Sequence, residues 1–308
     1  MKTLLKLIAV LVLVAGVAVW VLSSDEPLSA DPGRRAGEAA SGLPEGAGDP
    51  AWRLDPVWDD GKAELCAYAV EWPRYGVPRE GSALLVLVKE PWAPELDVKA
   101  DRPRPGGFEV LKLNHVRDVR TGIYEYHQMA SVYLDRRRGS LVKLATTSSE
   151  ACGITTAEMV DGRLATRSYF DGQGDRTGPW PGGLPEDGLP AALRELVLGE
   201  LPATVRVFPS LLAPKLPPLE LESFRVSRRA AGTVEVPAGR FEGVEIALEA
   251  AGDAGRALTY VFAADPPHRL LTFAASDGTA YRLARCERLA YWRLNRPGDE
   301  EWLPAGLR

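Results

Sequence analysis

From Ala63 onward the chain is built of short runs in which apolar and polar residues alternate, each run closed by Gly, Pro or Asp. Val244, Ile246 and Leu248 alternate with Glu245, Ala247 and Glu249, and Leu258, Tyr260 and Phe262 repeat the pattern before Leu271 and Phe273. A period of two sends successive side chains to opposite faces of a strand. Residues 63–70, 83–88, 108–113, 123–134 and 141–147 are strand-like in the same way. Asp161-Gly162 and Asp277-Gly278 each sit between two such runs, which is the chemistry of a two-residue hairpin turn. The reading is an antiparallel meander with one wet face, so a second sheet or a helix must cover the other. Leu193, Leu196 and Val197 follow Pro190 at helical spacing and predict a helix over 191–201, the candidate cover. No repeat of 20–50 residues with recurring anchors is found, which argues against a propeller or solenoid.

The first 24 residues obey a different rule. Lys2 and Lys6 precede a run of apolar residues and Gly over positions 7–22. That length is borderline for a spanning helix, which needs about 20 apolar residues. With Asp25 and Glu26 following, the charge order leaves the N-terminus in the cytoplasm and carries the rest outward. The segment is read as a signal anchor or a signal peptide, with the anchor favoured because small residues are poorly placed for cleavage. The expected location is the bacterial periplasm, either anchored in the inner membrane or secreted after cleavage.

Residues 25–56 hold five Gly and five Pro, with Trp52 the sole aromatic, and read as a flexible linker. The globular part divides into an N-terminal β region at 57–170, a Gly/Pro-rich connection at 171–190, a C-terminal β-meander with one helix at 191–295, and a tail at 296–308. The formal charge of −5 becomes −7 once Lys2 and Lys6 are set aside, which argues against nucleic acid as a partner.

Motif chemistry is sparse. His115, His127 and His268 are the only histidines and show no metal-ligand spacing, so no metal or cofactor is expected. Serine-nucleophile elbows, phosphate loops and dinucleotide turns are missing, and no catalytic residue is assigned. Three cysteines leave one unpaired if a disulfide forms; Cys66 and Cys286, on strand-like segments near the two ends of the globular part, are the candidate pair. Cys152, beside Gly153, reads as buried and inert, with a reactive thiol as the functional alternative. Arg136-Arg137-Arg138 reads as a solvated hairpin tip. Between Trp72 and Tyr133, polar residues interleave with aromatics, and Arg74, Tyr75, Trp92, Lys112 and Tyr124 are candidates to line a groove that meets an anionic headgroup. A polar sheet face with cross-strand aromatic pairs would leave the same pattern.

Two resemblances rest on specific residues. Arg74-Tyr75-Gly76, Lys89-Glu90-Pro91-Trp92, Lys112-Leu113-Asn114, Thr121-Gly122-Ile123-Tyr124 and Cys152-Gly153 resemble a family of uncharacterised exported bacterial proteins, some labelled septum formation inhibitor. That likeness covers about residues 58–172 and reaches Tyr291-Trp292-Arg293-Leu294-Asn295. Separately, Val236-Pro237-Ala238-Gly239-Arg240-Phe241, Tyr260-Val261-Phe262 and Asp265-Pro266-Pro267-His268-Arg269-Leu270 resemble periplasmic domains of unknown function with a lipoprotein-carrier-like fold. The second resemblance implies a half-barrel whose concave apolar face is covered by helices. This chain departs from it by a long preceding β region and a single clear helix.

The fold class expected is therefore mainly β: large curved antiparallel sheets, half-barrel or sandwich-like, with few helices and one N-terminal transmembrane or signal helix. The function expected is a non-enzymatic binding or scaffolding module of the envelope. It would hold a hydrophobic or amphipathic ligand against Tyr260, Phe262, Leu271 and Phe273. A scaffold binding another envelope protein without a small ligand, and a hydrolase-type enzyme assembled from distant residues, are the alternatives. The inner membrane, reached through the N-terminal helix, a lipid-like ligand and an envelope protein are the partners considered.

Overall fold

A computed structural model of the chain describes residues 42–252 and 255–304. The apolar run at 7–22 and most of the expected linker lie outside the described residues. Among the described residues no helix is long and apolar enough to cross a membrane.

Sixteen strands form one hydrogen-bonded sheet: β1 (Ala63–Arg74), β2 (Val77–Ala93), β3 (Val98–Lys99), β4 (Phe108–Thr121), β5 (Tyr124–Asp135), β6 (Leu141–Glu150), β7 (Gly153–Val160), β8 (Arg163–Arg167), β9 (Arg176–Pro179), β10 (Leu184–Pro185), β11 (Thr204–Phe208), β12 (Glu222–Val236), β13 (Gly239–Ala250), β14 (Ala257–Ala263), β15 (Leu270–Ala275) and β16 (Ala280–Leu289). The order runs β10 through β16 in sequence, then β1, β2 and β4 through β9, with the short β3 paired to β2. Every pairing is antiparallel except β10 with β11. The mainly β reading holds, and the sheet is continuous rather than split into two sandwich layers. The hairpin expected at Asp161-Gly162 forms between β7 and β8, with both turn residues at positive φ.

The edges of this sheet must lie close together. β9 and β10 stand at opposite ends of the strand order, yet only residues 180–183 separate them in sequence. At about 4.8 Å per strand, fifteen strands laid flat would hold their edges roughly 65 Å apart. Five steps of chain reach at most about 18 Å. The sheet therefore curls until its edges approach, and Trp180 beside β9 packs at 4.4 Å, ring to ring, against Phe208 of β11.

Curling creates an inner face. Leu111, Leu113, Ala130, Val132, Leu144 and Phe262 point inward and belong to one continuous buried core. The expected cover is present but shorter than the periodicity suggests: α2 (Leu189–Ala192) gives way to a 3₁₀ turn at Leu193–Leu196. Leu189, Leu193 and Leu196 are fully buried against the inner face. The helix stops because residues 48–49 cross there: Gly48 N–H donates to Glu200 O at 2.8 Å, and a Cβ on Gly199 would meet the Gly48 carbonyl carbon at 2.0 Å. Beyond β11 the segment 209–218 lies across the mouth of the curl, tied down by Thr155 Oγ1 donating to Pro214 O (2.5 Å) and by Gln173 Nε2 donating to Leu216 O (2.6 Å).

Two expectations are corrected here. The linker reading fails from residue 42 on. Trp52, in α1 (Ala51–Leu54), is 4% exposed, packs edge-on to Trp58 and joins the core. Trp52 reaches the core there, and Arg53, ion-paired to Glu195, and the Gly48 and Asp49 backbone bonds tie down the rest of that stretch. The arginine tip is not freely solvated either. Arg136 is buried, donating through Nε to Arg53 O (3.0 Å) and through Nη1 to Asp59 and Glu109 (2.7 Å each).

A smaller apolar cluster lies on the outer face. Ala63, Leu65, Val86 and Val88 are covered there by Tyr291 and Trp302 from the chain's last described turns. At the seam between first and last strands, Cys66 lies opposite Cys286 and the two are joined as a disulfide spanning 220 residues. Cys152 is exposed and free, which corrects its reading as a buried thiol.

Candidate functional site

Inside the curl is a cavity of about 940 Å³, within the size range of small-molecule sites. Its position follows from strand parity. On β4 the inward residues are Leu111, Leu113, His115, Arg117 and Val119, so an apolar row is interrupted by two nitrogen-bearing side chains. β14 and β15 contribute Leu258, Tyr260, Leu270 and Phe273, and β16 contributes Tyr281. The covering segment closes the opposite side with Asp187, Ser210 and Leu212. One wall is apolar and aromatic, with Tyr260 and Phe273 rings 4.7 Å apart and Phe273 edge-on to Tyr281 at 5.5 Å.

The facing wall is polar and buried. Arg117 donates through Nε and Nη2 to Gln128 Oε1 (2.8 and 2.5 Å), through Nη2 to Leu212 O (3.0 Å), and through Nη1 to Tyr281 Oη at a long 3.4 Å. Its guanidinium lies 4.6 Å from the centre of the Trp72 ring. It makes no ion pair with a carboxylate among the described residues. His115 Nε2 is 3.0 Å from Tyr281 Oη, and its Nδ1 is buried without a partner. Burial pushes the His115 pKa down to about 3, and the Arg117 charge acts in the same direction, so the imidazole is neutral. Asp187 lies fully inside, accepting from Ser210 Oγ (2.5 Å) and Leu211 N–H (2.9 Å). Burial pushes its carboxyl up to about 6, against the pull of those two hydrogen bonds and of the Arg117 charge, with the Glu186 charge adding to the rise. Arg256, by contrast, is neutralised locally by Glu186 and by Glu222 (2.7 Å).

The residues singled out from sequence are divided by the structure. Tyr260 and Phe273 line the cavity. Phe262 and Leu271 are fully buried in the core and do not line it; for Leu271 the reason is a register shift between Val261 and Phe262, which places Leu270 opposite Phe262 and at the cavity wall. The five-residue groove between Trp72 and Tyr133 does not form. Trp92 and Lys112 share the outer face with Val86 and Val88, where Lys112 Nζ pairs with Glu90 (2.8 Å) and Trp92 packs on Tyr133. Arg74, Tyr75 and Tyr124 gather instead at the hairpin tips. Arg74 Nη2 donates to Tyr126 Oη (3.1 Å), and Tyr75 Oη lies 2.8 Å from the same oxygen and 3.0 Å from Tyr124 Oη. Sequence reading assigns no site role to Arg117, Asp187 or Tyr281, and for His115 it finds only that metal-ligand spacing is missing. A readable signal existed, since Arg117 occupies the inward parity of an otherwise apolar row.

These features define a mainly β protein with a partly open cavity, apolar on one wall, that carries a buried cation. No family description matches the sequence, and no curated protein matches it. Among solved structures, a β-barrel-like protein of a domain of unknown function, DUF1849, from Brucella abortus is similar over 73% of this chain and 97% of its own length, at 8% identity and a TM-score of 0.43. That likeness is too weak to carry a role across, and neither the septum-formation label nor the lipoprotein-carrier resemblance gains support from any match.

Proposed function

We propose that the chain is a non-enzymatic binding module of the bacterial envelope that holds an amphipathic ligand inside its curled sheet. The observation that carries this reading is the cavity itself, whose walls are apolar on the Leu258–Phe273 side and polar around Arg117. Residues 7–22 carry the body outward, N-terminus inside, and hold it at the inner membrane unless cleaved. Arg117 and Asp187 are held by hydrogen bonds to the covering segment, while His115 Nδ1 is left without a partner at the cavity.

Native mass spectrometry of the full chain, purified from the envelope of an expressing bacterium, tests the reading. Discrete added masses that vanish on denaturation are expected, and Leu258→Trp, which fills the cavity, is expected to lose them. A bare wild-type mass, or equal adducts on both proteins, would sink it. Export has its own check in the exposed thiol of Cys152. A membrane-impermeant maleimide is expected to label it in unlysed spheroplasts, and labelling only after lysis would overturn the location.

A further inference from the structure

The polar end of the cavity has a chemical preference that its hydrogen bonds define. Arg117 can only donate, so Tyr281 Oη accepts from its Nη1. The phenol then has one proton of its own to place, and His115 Nε2 at 3.0 Å is where it goes. A neutral imidazole that accepts at Nε2 carries its proton on Nδ1. That Nδ1–H is buried without a partner on a residue 9% exposed that lines the cavity. A second donor is left over on Arg117, whose Nη1 carries two protons and has one long contact. Both unused groups are therefore donors, one of them on a cation with no ion-paired carboxylate. A buried donor left unsatisfied is unfavourable, and a charge-assisted acceptor is the strongest remedy.

We propose that Arg117 and His115 form a binding site for the headgroup of a monoanionic, single-chain carboxylate amphiphile, with its hydrocarbon lying along Leu258, Tyr260, Leu270 and Phe273. The inference rests on the cavity-binding reading above and adds the ligand's class. A carboxylate supplies an acceptor oxygen for each of the two donors. A dianionic phosphate would bring a second negative charge into a wall that already holds Asp187, with no second unpaired cation among the buried groups there. A cationic head would repel Arg117, and a purely neutral head would leave the two spare donors without a charged acceptor.

Three photoreactive probes with one common 16-carbon diazirine chain test this, ending in a carboxylate, a primary alcohol or a phosphate monoester. Each is added to the full chain in phosphatidylcholine nanodiscs, irradiated, and the labelled residues are mapped by tandem mass spectrometry, normalised to labelling of the disc scaffold protein. The carboxylate is expected to label the cavity walls about 10- to 100-fold more than the alcohol, the range given by hydrogen bonds to a charged group, and more than the phosphate. Arg117→Gln is expected to bring the carboxylate down to the level of the alcohol, while Arg117→Lys retains part of the preference. Since Arg117 also holds Leu212, the wild-type ratio among the three probes stands as a measurement independent of any variant's folding. Equal cavity labelling by acid and alcohol, or stronger labelling by phosphate, overturns the carboxylate assignment while the cavity reading stands. Absence of cavity labelling by all three overturns both.

Discussion

The two ends of the curled sheet treat buried arginines in opposite ways. At the end where β1 begins, each is matched to a carboxylate. Arg194 Nη2 meets Glu64 at 2.6 Å with both side chains 4% exposed, Arg53 Nε meets Glu195 at 2.9 Å, and Arg136 bridges Asp59 and Glu109. At the cavity end Arg117 is as deeply placed, yet its partners are an amide oxygen, a backbone carbonyl, a phenol and an indole face. Paired charges close the first end and fix α1 against the β5–β6 turn. The charge at the second end has no ion pair among the described residues, and its field acts on His115 and Asp187 and on whatever enters. The same side chain thus serves as a pin in one place and as a receptor in the other.

The comparison can be broken most forcefully at Glu64. Replacing it by Leu leaves Arg194 buried with backbone acceptors alone, and a loss of about 4 kcal/mol is expected from the behaviour of broken buried pairs; urea unfolding reads it, and a loss under 1 kcal/mol would show that Arg194 does not depend on its partner. Next comes Asp187, whose folded pKa of about 6 exceeds its ordinary 3.8. Its protonated form is the one the fold favours, so its contribution is present in full below pH 3.8 and is lost as pH rises through 6. The size is about 3 kcal/mol. Asp187→Asn should remove that decline, seen as the difference between variant and wild-type stability from pH 4 to 7. Taking the difference isolates Asp187 from His115, whose depressed pKa works with the opposite sign, its stability being lost as pH falls below 6.5. A flat difference curve would mean that Asp187 is ionised in the fold. Arg117→Met should lower stability by about 2 kcal/mol through the acceptor it abandons, Gln128 Oε1, while Leu212 O keeps its bond from Gln128 Nε2; a loss equal to or greater than that of Glu64→Leu would make Arg117 a pin like the others. Smallest of all is Arg240→Ala, which removes an exposed pair with Glu235 and should leave the melting temperature within error.

Much of the architecture was legible because strands announce themselves locally. Alternation at Val244–Leu248 and the Asp161-Gly162 turn each depend on neighbours a few residues away, and both appear as expected. What failed depended on distant partners. Trp52 looked isolated because the core it enters is built from strands far along the chain. Arg136 looked like a solvated tip because Asp59 and Glu109, which hold it, are 77 and 27 residues away. For the site, Tyr260 and Phe273 could be found by parity, whereas Leu270 replaced Leu271 through a bulge that no residue type signals. The five-residue groove failed by parity too: Trp92 and Lys112 point outward, and Arg74, Tyr75 and Tyr124 end at the tips.

The strand order has a consequence in time. β1 lies mid-sheet, flanked by β2 and β16, while both sheet edges come from the middle of the sequence. The partner that completes the seam is thus synthesised some 220 residues after Cys66. A ribosome delivering the chain N-terminus first hands over β1 with one side unmet, and it stays so until the last strand, β16, emerges. Joining Cys66 to Cys286 then marks an arrival, a covalent record that the polypeptide came through whole, and a product truncated before β16 would present the central strand as an open edge.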